Sequence, residues 1–234
     1  MKIIISPTKK MKRKNYKIEE TTPLFLDKSK SLRSILESYN LQEIKDLFRT
    51  SDKLSKKVYD YFQKPKEATA AINLYEGLAF KNMDVETWTQ SDFNFIEDKV
   101  IILSALYGAL RISDKIKEYR LDYMVKFEKD LYDYWKSDLE KLFRDEDYIV
   151  NLASNEFSKG ISHPKMINIY FLNEKGKNQS TGAKIARGQM IKYIVKNKIK
   201  DVNELEDFKL LNYKFIKNKS DENNYYFKKE VERE

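Results

Sequence analysis

The stretch LSALYGALRISDKIKEYRLDYM, residues 103–124, decides how the rest of the chain is read. It follows Val100-Ile101-Ile102-Leu103, a continuous apolar run of the kind that forms a buried strand. Past that strand stand Ser104, Tyr107, Gly108, Arg111, Asp114, Tyr119, Arg120 and Asp122. Turn formers would satisfy a plain loop; arginines interleaved with tyrosines and acids suit a site. The chain has 37 Lys and only 8 Arg, so a retained Arg marks a place for a planar, bidentate, always-charged group. Two readings stay open for Arg111 and Arg120: internal pairs with Asp114 and Asp122, or contacts to a ligand.

Three more segments have the same character. Lys2-Ile3-Ile4-Ile5 runs into Ser6-Pro7-Thr8-Lys9, and Tyr148–Leu152 runs into Ala153-Ser154-Asn155-Glu156. The third, TGAKIARG at 181–188, leads into a basic helix carrying Lys184 and Arg187. Together the four resemble the YaaA family of bacterial peroxide-stress proteins. The family's ISPAKT stands here as ISPTKK, its LSGLYGxLRPxD as LSALYGALRISD, and its YRLEM as YRLDYM. Its LYxFW stands as LYDYW (Leu131 to Trp135), its NLASNEY as NLASNEF, and its KKARG as KIARG. The matches are in order and reach from Ile3 to Tyr226-Phe227-Lys228. The resemblance implies an unusual family fold, a role in hydrogen peroxide stress, duplex DNA binding with a helix-hairpin-helix, and a link to lowering iron damage. The chain departs from the family's FxGDVYxGL, whose acid and tyrosine are Leu78 and Phe80 here. The proline after LR is Ile112, and one Lys of KKARG is Ile185.

At 234 residues, 41% hydrophobic and with 31 aromatic residues, the chain reads as one folded unit, 1–234, with a sizeable core. No run approaches the ~20 apolar residues of a membrane span, and Ile3-Ile4-Ile5 is too short for a signal-peptide core. Cysteine is absent, which removes disulfides, thiolate chemistry and Cys-based metal sites. The expected location is the cytoplasm, and the expected state a monomer.

The net charge is +8. Residues 1–17 carry seven Lys or Arg and no acid; residues 184–200 carry six and no acid. Such runs attract polyanions through counterion release, or else form a solvated face with no partner. Double-stranded DNA is the expected partner, contacted by Lys53, Lys56, Lys57, Lys192 and Lys196.

The expected fold is mixed α/β (α+β), with a mixed sheet, a helical hairpin in the N-terminal half and a C-terminal β-hairpin. A strand at 2–5 precedes a basic loop to about residue 20, then a helix capped by Thr22 and running to about Tyr39. Helices over Leu41–Phe48 and Lys53–Phe62 bracket Arg49-Thr50-Ser51-Asp52. That pair is either an ordinary helical hairpin or a helix-hairpin-helix without the usual glycines. A polar segment Tyr75–Phe80 follows, then a helix begun by Ser91 and strand 99–103. Next come an aromatic helix over about 128–144, strands 148–152 and 166–172, and a turn at Asn173–Asn178. A basic helix over about 183–198 and strands 210–216 and 224–228 close the chain.

No P-loop, GxGxxG, GxSxG or HExxH occurs. The single histidine, His163, precedes Pro164 and reads as a loop residue; neither a cofactor nor a metal site is expected. What remains is a polar set after strand-like runs: Ser6, Lys9, Tyr107, Arg111, Asp114, Tyr119, Arg120, Asn151, Ser154, Glu156, Lys184 and Arg187. Ligand crevices form at the carboxyl ends of strands, and these groups suit a small phosphate or carboxylate. Arg111, Arg120 and Arg187 are therefore expected around one pocket with Ser6, Lys9 and Asn151. Two functions compete: a non-specific DNA binder that limits iron-dependent peroxide damage, and an enzyme acting on a phosphorylated or nucleotide-like molecule in an Arg-rich pocket.

Overall fold

The computed structural model describes residues 1–231, so the last three positions of the expected 1–234 unit lie outside the described residues. Strand β1 (Lys2–Ile5) is followed by helices α1 (Leu26–Ser38), α2 (Leu41–Phe48) and α3 (Asp52–Gln63). Then come β2 (Thr69–Ala70), the single turns α4 (Ala71–Leu74) and α5 (Leu78–Lys81), and α6 (Gln90–Ile96). The middle holds β3 (Val100–Ser104), β4 (Gly108–Leu110), β5 (Lys115–Ile116), α7 (Leu131–Phe143), β6 (Ile149–Leu152) and α8 (Asn155–Ser158). Strand β7 (Met166–Leu172), α9 (Ser180–Asn197), β8 (Tyr213–Phe215) and β9 (Asn224–Lys229) complete the chain.

Seven strands form one mixed sheet in the order β4-β3-β1-β6-β7-β9-β8. The inner five are parallel, and β4 and β8 run antiparallel at the two edges. Strand β1 lies between β3 and β6, with Ile4 in register with Ile101 and Asn151. Ile3, Ile4 and Ile5 are buried on both faces, which is why the run is apolar without alternation.

The LSALYGAL stretch turns β3 back on itself as the edge strand β4. Gly108 makes this possible, with φ +72 in the left-handed region, and a Cβ there would lie 2.7 Å from the Trp135 ring. Trp135 Nε1 in turn donates to Ala105 O at 2.8 Å, so the LYDYW helix is fastened to the hairpin it covers. On that helix Leu131, Trp135, Leu139 and Phe143 are buried, while Tyr134 and Leu142 pack at the margin of the core.

Several boundaries differ from the expected ones for physical reasons. Helix α1 starts at Leu26, not after Thr22, because Thr21 and Thr22 are held extended against 111–115. Thr21 N donates to Ser113 O at 3.1 Å, and Thr22 O accepts from Arg111 Nη2 at 2.8 Å. Helix α6 begins one residue earlier than Ser91, at Gln90, under a reciprocal cap between Thr89 and Asp92. Within the segment read as polar, 75–80, Tyr75 and Glu76 are buried and Leu78–Lys81 make a helical turn. Strand β8 starts at Tyr213 because Leu211 and Asn212 both adopt positive φ. The C-terminal hairpin forms, with Phe215 opposite Phe227.

Helix α2 carries a capping box between Asn40 and Glu43 and ends on Arg49 in the left-handed conformation. The hairpin to α3 thus uses an arginine where a glycine is usual. His163 accepts a hydrogen bond from Lys165 N at 3.2 Å and orders its own loop.

Candidate functional site

The chain leaves β1 toward β3 on one side and leaves β6 toward β7 on the other. Because β1 and β6 are neighbours, their carboxyl ends flank the point where the strand order reverses, the usual ligand crevice of a parallel sheet. Ser6 follows β1, and Ser154 follows β6. Their hydroxyls lie 3.1 Å apart, and Ser154 N donates to Ser6 Oγ at 2.8 Å. Asn151 shapes the second turn from beneath. Its Oδ1 accepts from Ala153 N at 2.9 Å, and its Nδ2 donates to Asn168 Oδ1 at 2.8 Å.

A cleft of about 430 Å³ opens above this junction. Its walls are the loop Ser6–Lys10, the turn Gly77–Phe80, residues 152–157, and Lys184 with Arg187 of α9. Two close approaches set its width. A Cβ on Gly77 would lie 2.4 Å from Thr8 Oγ1, and one on Gly188 would lie 2.1 Å from Ala79 O. Glycine alone allows backbone contact this tight.

Two residues of the cleft wall carry a buried charged atom that makes no hydrogen bond among the described residues: Glu156 Oε1 and Arg187 Nε. A buried polar atom left unpaired costs roughly 1–3 kcal/mol, and more if charged. Burial also pulls the Arg187 guanidinium below its ordinary pKa. By contrast, the loop lysines are engaged: Lys9 pairs with Asp122 at 2.8 Å and Lys10 with Glu76 at 3.1 Å.

Next to the cleft a small depression of about 50 Å³ shares Pro7, Thr8, Lys9 and Phe157 with it and adds Tyr119, Arg120 and Asp122. Arg120 Nε lies 3.8 Å from the Asp122 carboxylate, and its guanidinium lies 5.5 Å from the Phe48 ring centre. The tyrosines of this region serve the core. Tyr119 OH is 2.7 Å from both Tyr75 OH and Ser104 Oγ, and Tyr107 meets the Tyr119 ring edge-on at 5.3 Å. Burial pushes all three phenols above their ordinary pKa.

Arg111 is not part of this site, so the expected three-arginine pocket does not form. Its guanidinium grips Asp114 at 2.9 Å and the Thr22 carbonyl at 2.8 Å. Asp114 is fully buried and also accepts from Arg111 N at 2.8 Å and Thr21 Oγ1 at 2.7 Å. That cluster anchors the 21–22 segment to the edge hairpin. Tyr107, Asp114 and Asn151 likewise stay outside the cleft lining.

The basic residues divide in the same way. A groove of about 600 Å³ runs between α3 and the N-terminal loop. Lys12, Arg13, Lys53, Lys56, Lys57, Lys64 and Lys66 line it, against the carboxylates Asp60 and Glu118. Lys192 and Lys196 do not present free charge, because Lys192 pairs with Asp84 at 2.5 Å and Lys196 with Asp92 at 2.9 Å. Lys198 also reaches Asp92, at 2.5 Å. Half of the basic residues in the acid-free run 184–200, Lys192, Lys196 and Lys198, are therefore paired with two acids distant in sequence.

The profile of the family described as "Peroxide stress protein YaaA" matches residues 1–219. The chain belongs to the YaaA peroxide stress family. Its similarity to curated relatives is end to end. A UPF0246 protein of Clostridioides difficile is 35% identical over 247 positions, covering 98% of this chain and all of the relative. One from Fusobacterium nucleatum is 35% identical, covering 97% and 98%, and one from Finegoldia magna is 33% identical, covering 99% of each.

The YaaA motifs acquire separate jobs in the structure. ISPTKK and NLASNEF supply the two banks of the crevice, KIARG supplies its cationic wall, and LSALYGALRISD builds the sheet edge. Two of the YaaA departures fall on the cleft: Leu78 lies on its wall at 40% exposure, and Phe80 packs on Tyr75 at 5.0 Å. Ile112 is buried, and Ile185 lines a separate hollow with Gly182 and Tyr213. Thr8, Lys10, Gly77 and Phe157 also line the cleft, although the sequence reading did not count them among the candidate site residues. Gly77 offered the one signal, since only six glycines occur in the whole chain.

Proposed function

We propose that this YaaA-family protein binds duplex DNA without sequence specificity through the groove between α3 and the N-terminal loop, and that occupying the DNA limits iron-dependent peroxide damage. The observation that carries this reading is the charge of the groove, seven cations against two carboxylates. Lys56 and Lys66 are paired, with Asp60 at 3.0 Å and Glu118 at 2.8 Å. Lys12, Arg13, Lys53, Lys57 and Lys64 make no ion pair among the described residues and are exposed. Lysine ammonium groups on a flexible stem suit phosphate oxygens rather than base edges, so contacts of this kind give affinity without sequence preference.

The tip of the α2–α3 hairpin supports the groove over a helix-hairpin-helix mode. Asp52 occupies the first turn of α3, paired with Lys45 at 2.5 Å, where a phosphate would otherwise sit. The lysines of α3 are offered along its flank instead.

Protection follows from the same electrostatics. Lysines on the backbone displace condensed cations, ferrous ions among them, and hydroxyl radical reacts where it is formed. Plasmid nicking by ferrous iron and peroxide tests this directly. Nicking should fall as the wild-type protein is titrated in and stay high with Lys53→Glu/Lys57→Glu. Absence of duplex binding at micromolar protein in low salt would overturn the reading.

A further inference from the structure

We propose that the cleft between β1 and β6 binds a mononucleotide, as a free nucleoside monophosphate or as a single unit presented by a nucleic acid strand. The DNA groove is a different surface, so this proposal stands or falls independently of DNA binding there. The first support is placement and size. The cleft lies where the strand order reverses, and its volume of about 430 Å³ is within the range of small-molecule sites.

The second support is a matched pair of unsatisfied atoms. Arg187 Nε is a donor and Glu156 Oε1 an acceptor, both buried and both without a hydrogen bond among the described residues. A phosphate satisfies the first, assisted by exposed Lys184 on the preceding turn of α9. An anion without a hydrogen-bond donor cannot satisfy the second, because the carboxylate repels its charge and needs a proton that it does not carry. The ligand must therefore carry a hydroxyl or N–H as well as its charge, as the ribose and base of a nucleotide do.

The third support is apolar lining, chiefly Leu78 on the turn packed against α9, with the more buried Phe157 on the β6 side. Leu78 keeps 40% of its surface exposed there, as a base lying flat would use. Lys9 and Lys10 are already paired with Asp122 and Glu76, which leaves Lys184 and Arg187 as the unengaged cations of the cleft.

Calorimetry on the full chain at low salt tests this, with the common nucleoside monophosphates, adenosine and inorganic phosphate as probes. At least one monophosphate should bind saturably with 1:1 stoichiometry, at least tenfold more tightly than either fragment. Arg187→Met should weaken it at least tenfold. Glu156→Leu should weaken the monophosphate yet strengthen inorganic phosphate, a reversal that a general loss of structure cannot produce. Lys53→Ala/Lys57→Ala should leave monophosphate binding unchanged. Hydrogen exchange on the wild type needs no variant, and the bound monophosphate should slow exchange at 152–157 and 184–188. A duplex bearing 2-aminopurine separates the sources: a fluorescence rise that Arg187→Met abolishes assigns a unit extruded from the strand, and monophosphate binding without that rise assigns the free nucleotide. Failure of every monophosphate to saturate at millimolar concentration, together with no 2-aminopurine rise, overturns the proposal. So does binding lost in the Lys53/Lys57 variant but intact in both cleft variants.

Discussion

Ser154 donates its backbone N–H to Ser6 Oγ at 2.8 Å, across 148 residues of chain, and so joins the carboxyl ends of β1 and β6. The two strands are already neighbours in the sheet, but their following loops diverge to opposite sides. One side-chain oxygen closes the base of the cleft between them. Ser6→Ala removes that acceptor and leaves a part-buried N–H unpaired, at a cost of ~1–2 kcal/mol. The denaturant midpoint should drop accordingly, and Tm should fall by about 3–6 °C for a chain of this size. An unchanged midpoint would show that the junction is held by the strands alone.

Salt dependence separates the two basic regions. Five unpaired groove cations imply a log–log slope of about −4 to −5 for duplex binding. Lys53→Ala/Lys56→Ala/Lys57→Ala should flatten that slope by about 2–3. Lys192→Ala should leave the slope in place and lower thermal stability only slightly instead, since the Asp84 pair it breaks is about one-third exposed on each side. Filter binding across a salt series measures the slope, and the opposite assignment of effects would reject the groove as the DNA surface.

Most of the sheet was legible because parallel strands buried on both faces announce themselves as apolar runs, as Ile3–Ile5, Val100–Leu103 and Ile149–Leu152 do. The crevice was legible in part: Ser6, Lys9, Ser154, Glu156, Lys184 and Arg187 line it, and Tyr119 and Arg120 lie in the adjoining depression. Arg111 was not separable from them, because a guanidinium that clamps Asp114 and one that faces a ligand look alike in sequence. The same blindness applies to Lys192 and Lys196. Their acids, Asp84 and Asp92, lie about a hundred residues away and meet them only through α9 packing.

Asp92 gives a pH test of that packing. Burial, the largest influence on it, favours the neutral acid, but hydrogen bonds from Lys198, Thr89 and Lys196 outweigh burial and hold the carboxyl well below its ordinary range. A group whose pKa is depressed on folding adds stability above its unfolded pKa, ~3.9 for Asp, and that stability is lost as pH falls through the folded value. Asp92→Asn should thus be less stable than wild type at neutral pH, with the gap closing only below about pH 4. Urea denaturation at pH 7 and pH 3 measures this, and a gap that persists undiminished in acid would point to packing rather than charge.

The edge hairpin rests on two separable demands at Gly108. Its φ of +72 disfavours any side chain, and the Trp135 ring lies 2.7 Å from where a Cβ would stand. The left-handed backbone costs an L-residue roughly 1–2 kcal/mol, and overpacking against a fixed ring adds about 1–3 kcal/mol. Gly108→Ala should therefore destabilise by about 2–5 kcal/mol, enough to deplete the folded protein near physiological temperature. The two terms come apart in a double-mutant cycle with Trp135→Leu, which opens space while losing the hydrogen bond to Ala105 O. In that background the cost of Gly108→Ala should shrink to the backbone term alone, about 1–2 kcal/mol. Strict additivity in the cycle would mean that the ring and the glycine do not constrain each other, and that the LYDYW helix is not what fixes the course of the hairpin.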